Sequence, residues 1–409
     1  MAGPMVGGSG AGVDAGVNQR GIRDHNARLI LSILHRERAV AGAELARRTG
    51  LSRPTVSTIL RELEEAGLLR RGEPQRGRVG KPSVPMELVP EGVFSYGLKI
   101  GRRSAELLLL DFTGGVRDQL HLAYDYPLPE VVFGFLENGI ARLGAALSDD
   151  ARARICGIGI GTPFELWKWH NLTGPAAERF RSWKDVDFAR EVAAFSDLPV
   201  TVVKDTTAAC QAEHLFGRGR MLRDYAYFFI GAFIGGGVAL NGTVLKGATG
   251  NAGALGSLGA AGGQGGRRQL VDTASLHLLA AQLEDAGLDA SRLWQRPPDW
   301  RGLESALEPW LEQTASELAA ACLSVCAVID FEVVLIDGAL PPAVRADLVA
   351  RVRRRIGALD ARGLILPRIE AGEVGANARA VGAACWPLLE QYLLNSHAGA
   401  AVAAAEGRG

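Results

Sequence analysis

One short stretch, Thr49-Gly50-Leu51-Ser52-Arg53-Pro54, constrains this chain more than any other. A glycine, then a capping serine, then a proline can end one helix and start another within a few residues. Gly50 suits the left-handed residue that closes a helix over Glu44–Thr49, Leu51 can plug a core, and Ser52 is placed to cap a second helix. That second helix is expected from about Arg53 to Ala66, because Val56, Ile59, Leu60 and Leu63 form the i, i+3, i+4, i+7 stripe of a core-facing helix. Upstream, Ile22, Asn26, Leu29, Ile30, Ile33 and Leu34 recur at helical period, so another helix begins near Gly21, with Arg38–Gly42 read as a connection. Downstream, Leu68-Leu69 opens a strand, residues 72–80 are rich in turn formers, and Val84, Met86 and Leu88 alternate like a returning strand. Three helices and then a β-hairpin is the order of a winged helix-turn-helix.

Charge supports a polyanion partner for this part alone. Residues 18–90 carry 14 Arg or Lys against eight Asp or Glu, a surplus of +6, while the whole chain is neutral. Opposite the apolar stripe, the third helix presents Pro54, Thr58, Arg61 and Glu65, flanked by Thr55 and Ser57. Small hydroxyls permit close approach to a groove, and an arginine can fork onto a guanine edge or a phosphate. Ser52 and Arg53 at the helix start favour a phosphate. The wing adds Arg70, Arg71, Arg76, Arg78 and Lys81 against only Glu73, and its glycine-rich stretch from Gly77 to Pro82 suits a minor groove. A double-stranded DNA operator is therefore the expected partner. A solvated basic loop on an ordinary helical domain is the bland alternative.

The remainder has a different rhythm. Strands are expected at Phe94–Ile100, Ala105–Asp111, Val116–Asp125, Ile155–Ile160, Val200–Val203, Ala226–Ile230, Gly237–Leu240 and Val333–Ile336. Helices are expected at Asp205–Phe216, Leu270–Asp285, Leu303–Val328 and Pro342–Leu359. Strands leading into strand–helix alternation, occurring twice, imply an α/β body of two similar lobes. The chain is divided into a disordered tail (1–17), a DNA-binding domain (18–90), an α/β domain (91–395) and a loose tail (396–409). Five cysteines without a CxxC pair, a start lacking an apolar core of signal length, and no apolar run of membrane-span length lead to a cytoplasmic expectation.

Asn18-Gln19, Asp24-His25-Asn26-Ala27, Ala43–Ser52 and Thr55-Val56-Ser57 resemble the N-terminal module of ROK repressors, and the similarity to the ROK family (repressors, open reading frames, sugar kinases) extends over about residues 18–395. That resemblance implies an actin-like, two-lobed sugar-kinase fold with a small molecule between the lobes that modulates operator binding.

The resemblance also locates departures. Family kinases open with Asp-x-Gly-x-Thr, whose Asp manages Mg²⁺-nucleotide; here the stretch is Lys99-Ile100-Gly101-Arg102-Arg103. A lysine has donors only and is no Mg²⁺ ligand. The second phosphate loop reads Gly231-Ala232-Phe233-Ile234-Gly235-Gly236-Gly237, with Phe233 where a glycine lets backbone meet phosphate. Gly235–Gly237 is read first as a tight turn between strands. The Asn-Asp pair that holds sugar and supplies the catalytic base is Lys204-Asp205. The sugar segment, Gly253-Ala254-Leu255-Gly256-Ser257, lacks its Glu and His, and Gly262–Gln269 holds none of the family's zinc cysteines.

No cofactor, metal or catalytic residue is expected. Asp205, Lys204, Glu165 and Trp167 are the candidate effector contacts, for a sugar, sugar acid or sugar phosphate. Asp205 beside Lys204 is also readable as a local ion pair with a helix cap, and the Trp167 region as ordinary core or interface. A homodimer or homotetramer acting as a repressor is expected. The alternatives are an active sugar kinase fused to a DNA-binding domain, and a regulator whose α/β domain only oligomerises.

Overall fold

The computed structural model describes residues 19–74, 84–166, 181–260, 268–295 and 298–394. The tails expected at 1–17 and 396–409, and with them Arg76, Arg78, Lys81 and Trp167, lie outside those residues.

The first unit contains helices α1 (Gln19–Glu37), α2 (Gly42–Thr49) and α3 (Arg53–Glu65), and strands β1 (Ala39–Ala41), β2 (Leu69–Arg71) and β3 (Pro85–Leu88). Gly50 adopts φ 69° and closes α2, as its position requires. The Ser52 hydroxyl accepts from the Thr55 amide at 3.3 Å and caps α3, and Val56, Ile59, Leu60 and Leu63 are all buried. The expected connection at Arg38–Gly42 is in part a strand. It contains β1, which pairs antiparallel with β3 and gives the wing three strands in the order β1-β3-β2. Three residues are too few to show a periodicity.

The α/β body repeats one sheet pattern. β4 (Phe94–Ile100), β5 (Ser104–Asp111), β6 (Val116–Ala123), β7 (Ile155–Thr162) and β8 (Val200–Lys204) form a sheet in the order β6-β5-β4-β7-β8. β4 to β6 are antiparallel, and β7 and β8 join in parallel. Helices α4 (Pro129–Ala145), α5 (Asp149–Arg152) and α6 (Phe188–Val192) belong to this lobe, and α7 (Asp205–Phe216) leaves it directly from β8.

The second sheet has β9 (Tyr225–Ile230), β10 (Ile234–Leu240) and β11 (Thr243–Val244) antiparallel, with β14 (Val333–Gly338) and β15 (Arg368–Ala371) parallel to β9, in the order β11-β10-β9-β14-β15. A short pair, β12 (Gly259–Ala260) and β13 (Arg268–Gln269), stands apart. Helices α8 (Leu276–Asp285), α9 (Glu304–Val328) and α10 (Pro342–Ile356) pack on this lobe, whose core holds Trp310, Leu318, Val334, Ile336 and Leu348. Three antiparallel strands extended by two parallel ones, twice, is the two-lobed actin-like architecture.

The last helix, α11 (Ala378–Gln391), has no counterpart among the expected elements. Its residues from Ala378 to Leu389 are all buried, so no polar face marks it in the sequence. It packs against α7 and against β4 and β7, and glycines set that approach: a Cβ at Gly382 or Gly159 would collide with the carbonyl oxygen of Ala208 or Ala383. Its far end meets α1. Arg28 donates to the carbonyls of Leu389 (2.7 Å) and Leu393 (3.1 Å), and the Ser32 hydroxyl accepts from the Leu394 amide at 2.8 Å. A cation on the last carbonyls of a helix is favourable both as a hydrogen bond and against the helix dipole. His35 of α1 is buried against Phe216, with ring centroids 5.2 Å apart. Ile30 and Leu34 share one apolar cluster with Phe112, Leu389 and Leu393, so the two units join through core rather than through a linker.

Candidate nucleic-acid interface and interlobe cleft

The turn between α2 and α3 delivers a polar face to solvent. Ser52, Arg53, Pro54, Thr55, Ser57, Thr58 and Arg61 are all exposed, while the stripe between them is buried. Among the described residues Arg61 pairs only with Glu65, at 3.9 Å, with both side chains about two-thirds exposed. Such a pair is worth less than about 1 kcal/mol and leaves the guanidinium available. Strand β2 of the wing is less cationic than its sequence suggests. Arg70 is held by Glu87 at 3.2 Å and Arg71 by Glu64 at 3.1 Å, acids that come from β3 and α3. Arg47 and Arg48 are similarly tied to Glu44.

The parallel strands build the second site. Thr162 at the end of β7 pairs in register with Lys204 at the end of β8, so Lys204-Asp205 and the residues after β7 share one carboxyl edge of the sheet. That edge is the usual place for ligands in parallel sheets. Glu165 lies on this edge, three residues past β7, in a left-handed conformation with φ 47°. Asp205 and Lys204 are both buried. Lys204 Nζ donates to the Ala252 carbonyl at 2.6 Å, and burial lowers its pKa to about 8 against the opposing pull of Asp205. Asp205 is bound by a residue sequence reasoning missed: Arg379 of α11, whose Nη1 donates to Oδ2 at 3.2 Å. The clue was a lone charge in the alanine-rich run Ala378-Arg379-Ala380-Val381.

The stretches that resemble the kinases' two phosphate loops engage the chain's own side chains. Lys99, at the position of the kinases' metal-managing Asp, is 3% exposed. It donates to the Ser104 carbonyl (3.2 Å), the Ser104 hydroxyl (3.1 Å) and Glu106 Oε1 (3.3 Å). Burial brings its pKa down to about 8, with Glu106 partly offsetting. Phe233 lies under the Arg102 guanidinium, 5.0 Å from the ring centroid, and edge-on to His277 at 4.9 Å. A cation over a ring face is attracted by its quadrupole. The first and second phosphate loops therefore clasp one another through Arg102 and Phe233. Gly235–Gly237 lies within β10 rather than in a turn, and its missing side chains admit Thr206 and Cys210 of α7 and the Tyr227 carbonyl. These residues do not fit Mg²⁺-nucleotide: a cation occupies the metal ligand's position, and the glycines serve helix–strand packing.

The sequence model of the ROK family matches residues 95–389, and that of the MarR family matches residues 21–78. The uncharacterized protein y4fQ of Sinorhizobium fredii is 26% identical over 394 residues, covering 94% of this chain and 95% of the relative. The xylose repressor of Bacillus subtilis is 23% identical over 234 residues, 57% of this chain and 60% of that repressor. A solved ROK family transcriptional regulator, a homologue of the Escherichia coli MLC protein, superposes with a TM-score of 0.64 at 20% identity, over 91% of this chain and 98% of that one, which establishes the fold. With its duplicated sheet matched along nearly its whole length and a winged helix-turn-helix ahead of it, this chain belongs to the ROK family.

Proposed function

We propose that this protein is a DNA-binding transcriptional regulator, a repressor of carbohydrate-related genes, whose kinase-like body senses a small polar effector and catalyses nothing. The observation that carries the DNA-binding half is the exposed Ser52–Arg61 face on a capped recognition helix with its stripe buried beneath it. The relatives named as repressors support the same reading. A homodimer or homotetramer in the cytoplasm would place two such helices on a palindromic operator.

The sensing half rests on the cleft. Asp205 is positioned to accept from ligand hydroxyls, Lys204 favours a ligand with negative charge, and Glu165 shares their sheet edge. The effector class is a sugar, sugar acid or sugar phosphate. The absence of catalysis rests on Lys99 and Phe233, since phosphoryl transfer needs a positioned metal and cradled phosphates together.

Gel shifts on operator fragments selected from random DNA test the first half. Arg61→Ala should cost about 1–3 kcal/mol if the guanidinium reads a base. Arg78→Ala should weaken binding uniformly and flatten its salt dependence. Operator affinity unchanged in both variants would remove the assignment. Calorimetry on wild type and Asp205→Ala tests the second half, and equal affinity for a bound sugar in the two proteins would place the effector elsewhere.

A further inference from the structure

Arg379 is buried to 8% exposure in the first turn of α11, where the two lobes face each other. Its guanidinium reaches Asp205 of α7 on one side and lies 4.9 Å from the ring centroid of Phe229, a β9 residue of the other lobe. It also borders Gly231, in the loop after β9, where an added Cβ would stand 3.4 Å from Nη1. Among the described residues only Nη1 of its three nitrogens is hydrogen-bonded, and Nε is buried without a partner. A guanidinium presents five donors in a fixed fork and is always charged, so an unbonded buried edge is unfavourable until an acceptor fills it.

The charges around it favour an anion as that acceptor. Lys99 is balanced by Glu106. Arg379 pairs with Asp205, Lys204 is bonded to the Ala252 carbonyl rather than to a carboxylate, and Arg102 faces an aromatic ring in place of an acid. With Glu165 counted on the same sheet edge, the three cations Lys204, Arg379 and Arg102 still outnumber the two carboxylates of Asp205 and Glu165.

We propose that Arg379 is an oxyanion-binding residue of the cleft: a carboxylate or phosphate of the ligand takes the fork of Nε and Nη2 that Asp205 leaves unbonded. This rests on the reading that the cleft holds an effector, and it narrows the effector to an anionic one. The placement also supplies a readout. α11 spans about 20 Å at the ordinary helical rise, and its other end is the carbonyl cluster that Arg28 of α1 grips. Ligand on Arg379 therefore bears on the helix that seats the DNA-binding unit.

The test uses the full chain and four probes: D-gluconate, D-glucose 6-phosphate, inorganic phosphate and neutral D-glucose. Thermal midpoints and calorimetric affinities are measured for wild type, Asp205→Asn, Arg379→Gln and the double variant. The double variant leaves no buried carboxylate unpaired, so it reports on binding even where Arg379→Gln fails to fold. An oxyanion probe should bind wild type and lose tenfold or more between Asp205→Asn and the double variant; inorganic phosphate, which offers Asp205 no sugar hydroxyl, should bind Asp205→Asn at least as tightly as wild type because the competing carboxylate is gone. Preference for gluconate or for the two phosphates identifies the source of the oxyanion. Anion affinity in the double variant within threefold of Asp205→Asn would overturn the proposal. Binding confined to neutral glucose would overturn it too, while leaving the sensing reading intact. Silence from all four probes would reject this proposal together with the sensing reading, leaving DNA binding to its own test.

Discussion

Acidification should loosen the seat of the DNA-binding unit through one side chain, His35. The imidazole is buried between α1 and Phe216, its Nε2 has no partner among the described residues, and Arg220 and Arg38 face it. Burial first, and then these two cations, lower its pKa from 6.5 to about 4, with Asp111 opposing. A lowered histidine pKa means the folded chain refuses a proton that the unfolded chain accepts. Its stabilising contribution is complete above pH 6.5 and is lost as pH falls from there towards 4. One pH unit across that window corresponds to ~1.4 kcal/mol, so the step from pH 7 to pH 5 removes about 2 kcal/mol. Other groups titrate over the same range, so the measurement is a difference: urea unfolding of wild type and His35→Phe at several pH values. Phenylalanine preserves the ring against Phe216 and cannot titrate. Wild type should lose about 2 kcal/mol more than the variant between pH 7 and 5. Parallel stability curves, or an NMR titration of His35 near 6.5, would refute the reasoning.

The same geometry sets four further outcomes. Arg28→Ala removes the charge-assisted bonds to Leu389 and Leu393, and should cost about 2 kcal/mol after allowance for partial exposure and split a single urea transition into two. Gly382→Ala drives a methyl into the Ala208 carbonyl and should destabilise by roughly 3 kcal/mol or more; a thermal midpoint within a degree or two of wild type would contradict the packing. Lys99 and Lys204, both with pKa brought to about 8 chiefly by burial, lose their protons above that pH, so affinity for an anionic effector should fall from pH 7 to 9 and fall less in Lys204→Met. Coupled assays with Mg²⁺-ATP and a panel of hexoses should show no turnover above that of a Lys204/Asp205 double variant, and genuine turnover would restore the kinase reading.

The winged helix-turn-helix was legible in the sequence because its signals are local. Gly50 ends one helix by backbone conformation alone, Ser52 caps the next from three residues away, and the stripe from Val56 to Leu63 fixes which face looks outward. The duplicated α/β rhythm was legible for the same reason: short apolar runs and helix stripes are read over short windows, and most strands began and ended within a residue or two of expectation. Departures from the kinase pattern at Lys99 and Phe233 needed only the identity of the side chain.

Tertiary structure decided what depends on which side chains folding brings together, near or far in sequence. Buried on all sides, α11 offers no periodicity to read, so neither the helix nor Arg379 on it could be assigned a place from sequence. Lys99 finds Glu106 across a strand pair, Arg71 finds Glu64 from a helix, and Asp205 finds Arg379 from 174 residues away. Each pairing converts a charge that sequence shows as available into one already engaged. The grip of Arg28 on the end of α11 likewise exists only once residues 361 and 365 positions apart are brought together by packing. Local chemistry specified the elements and their faces; burial and long-range charge pairing determined which of those faces remain open to a ligand.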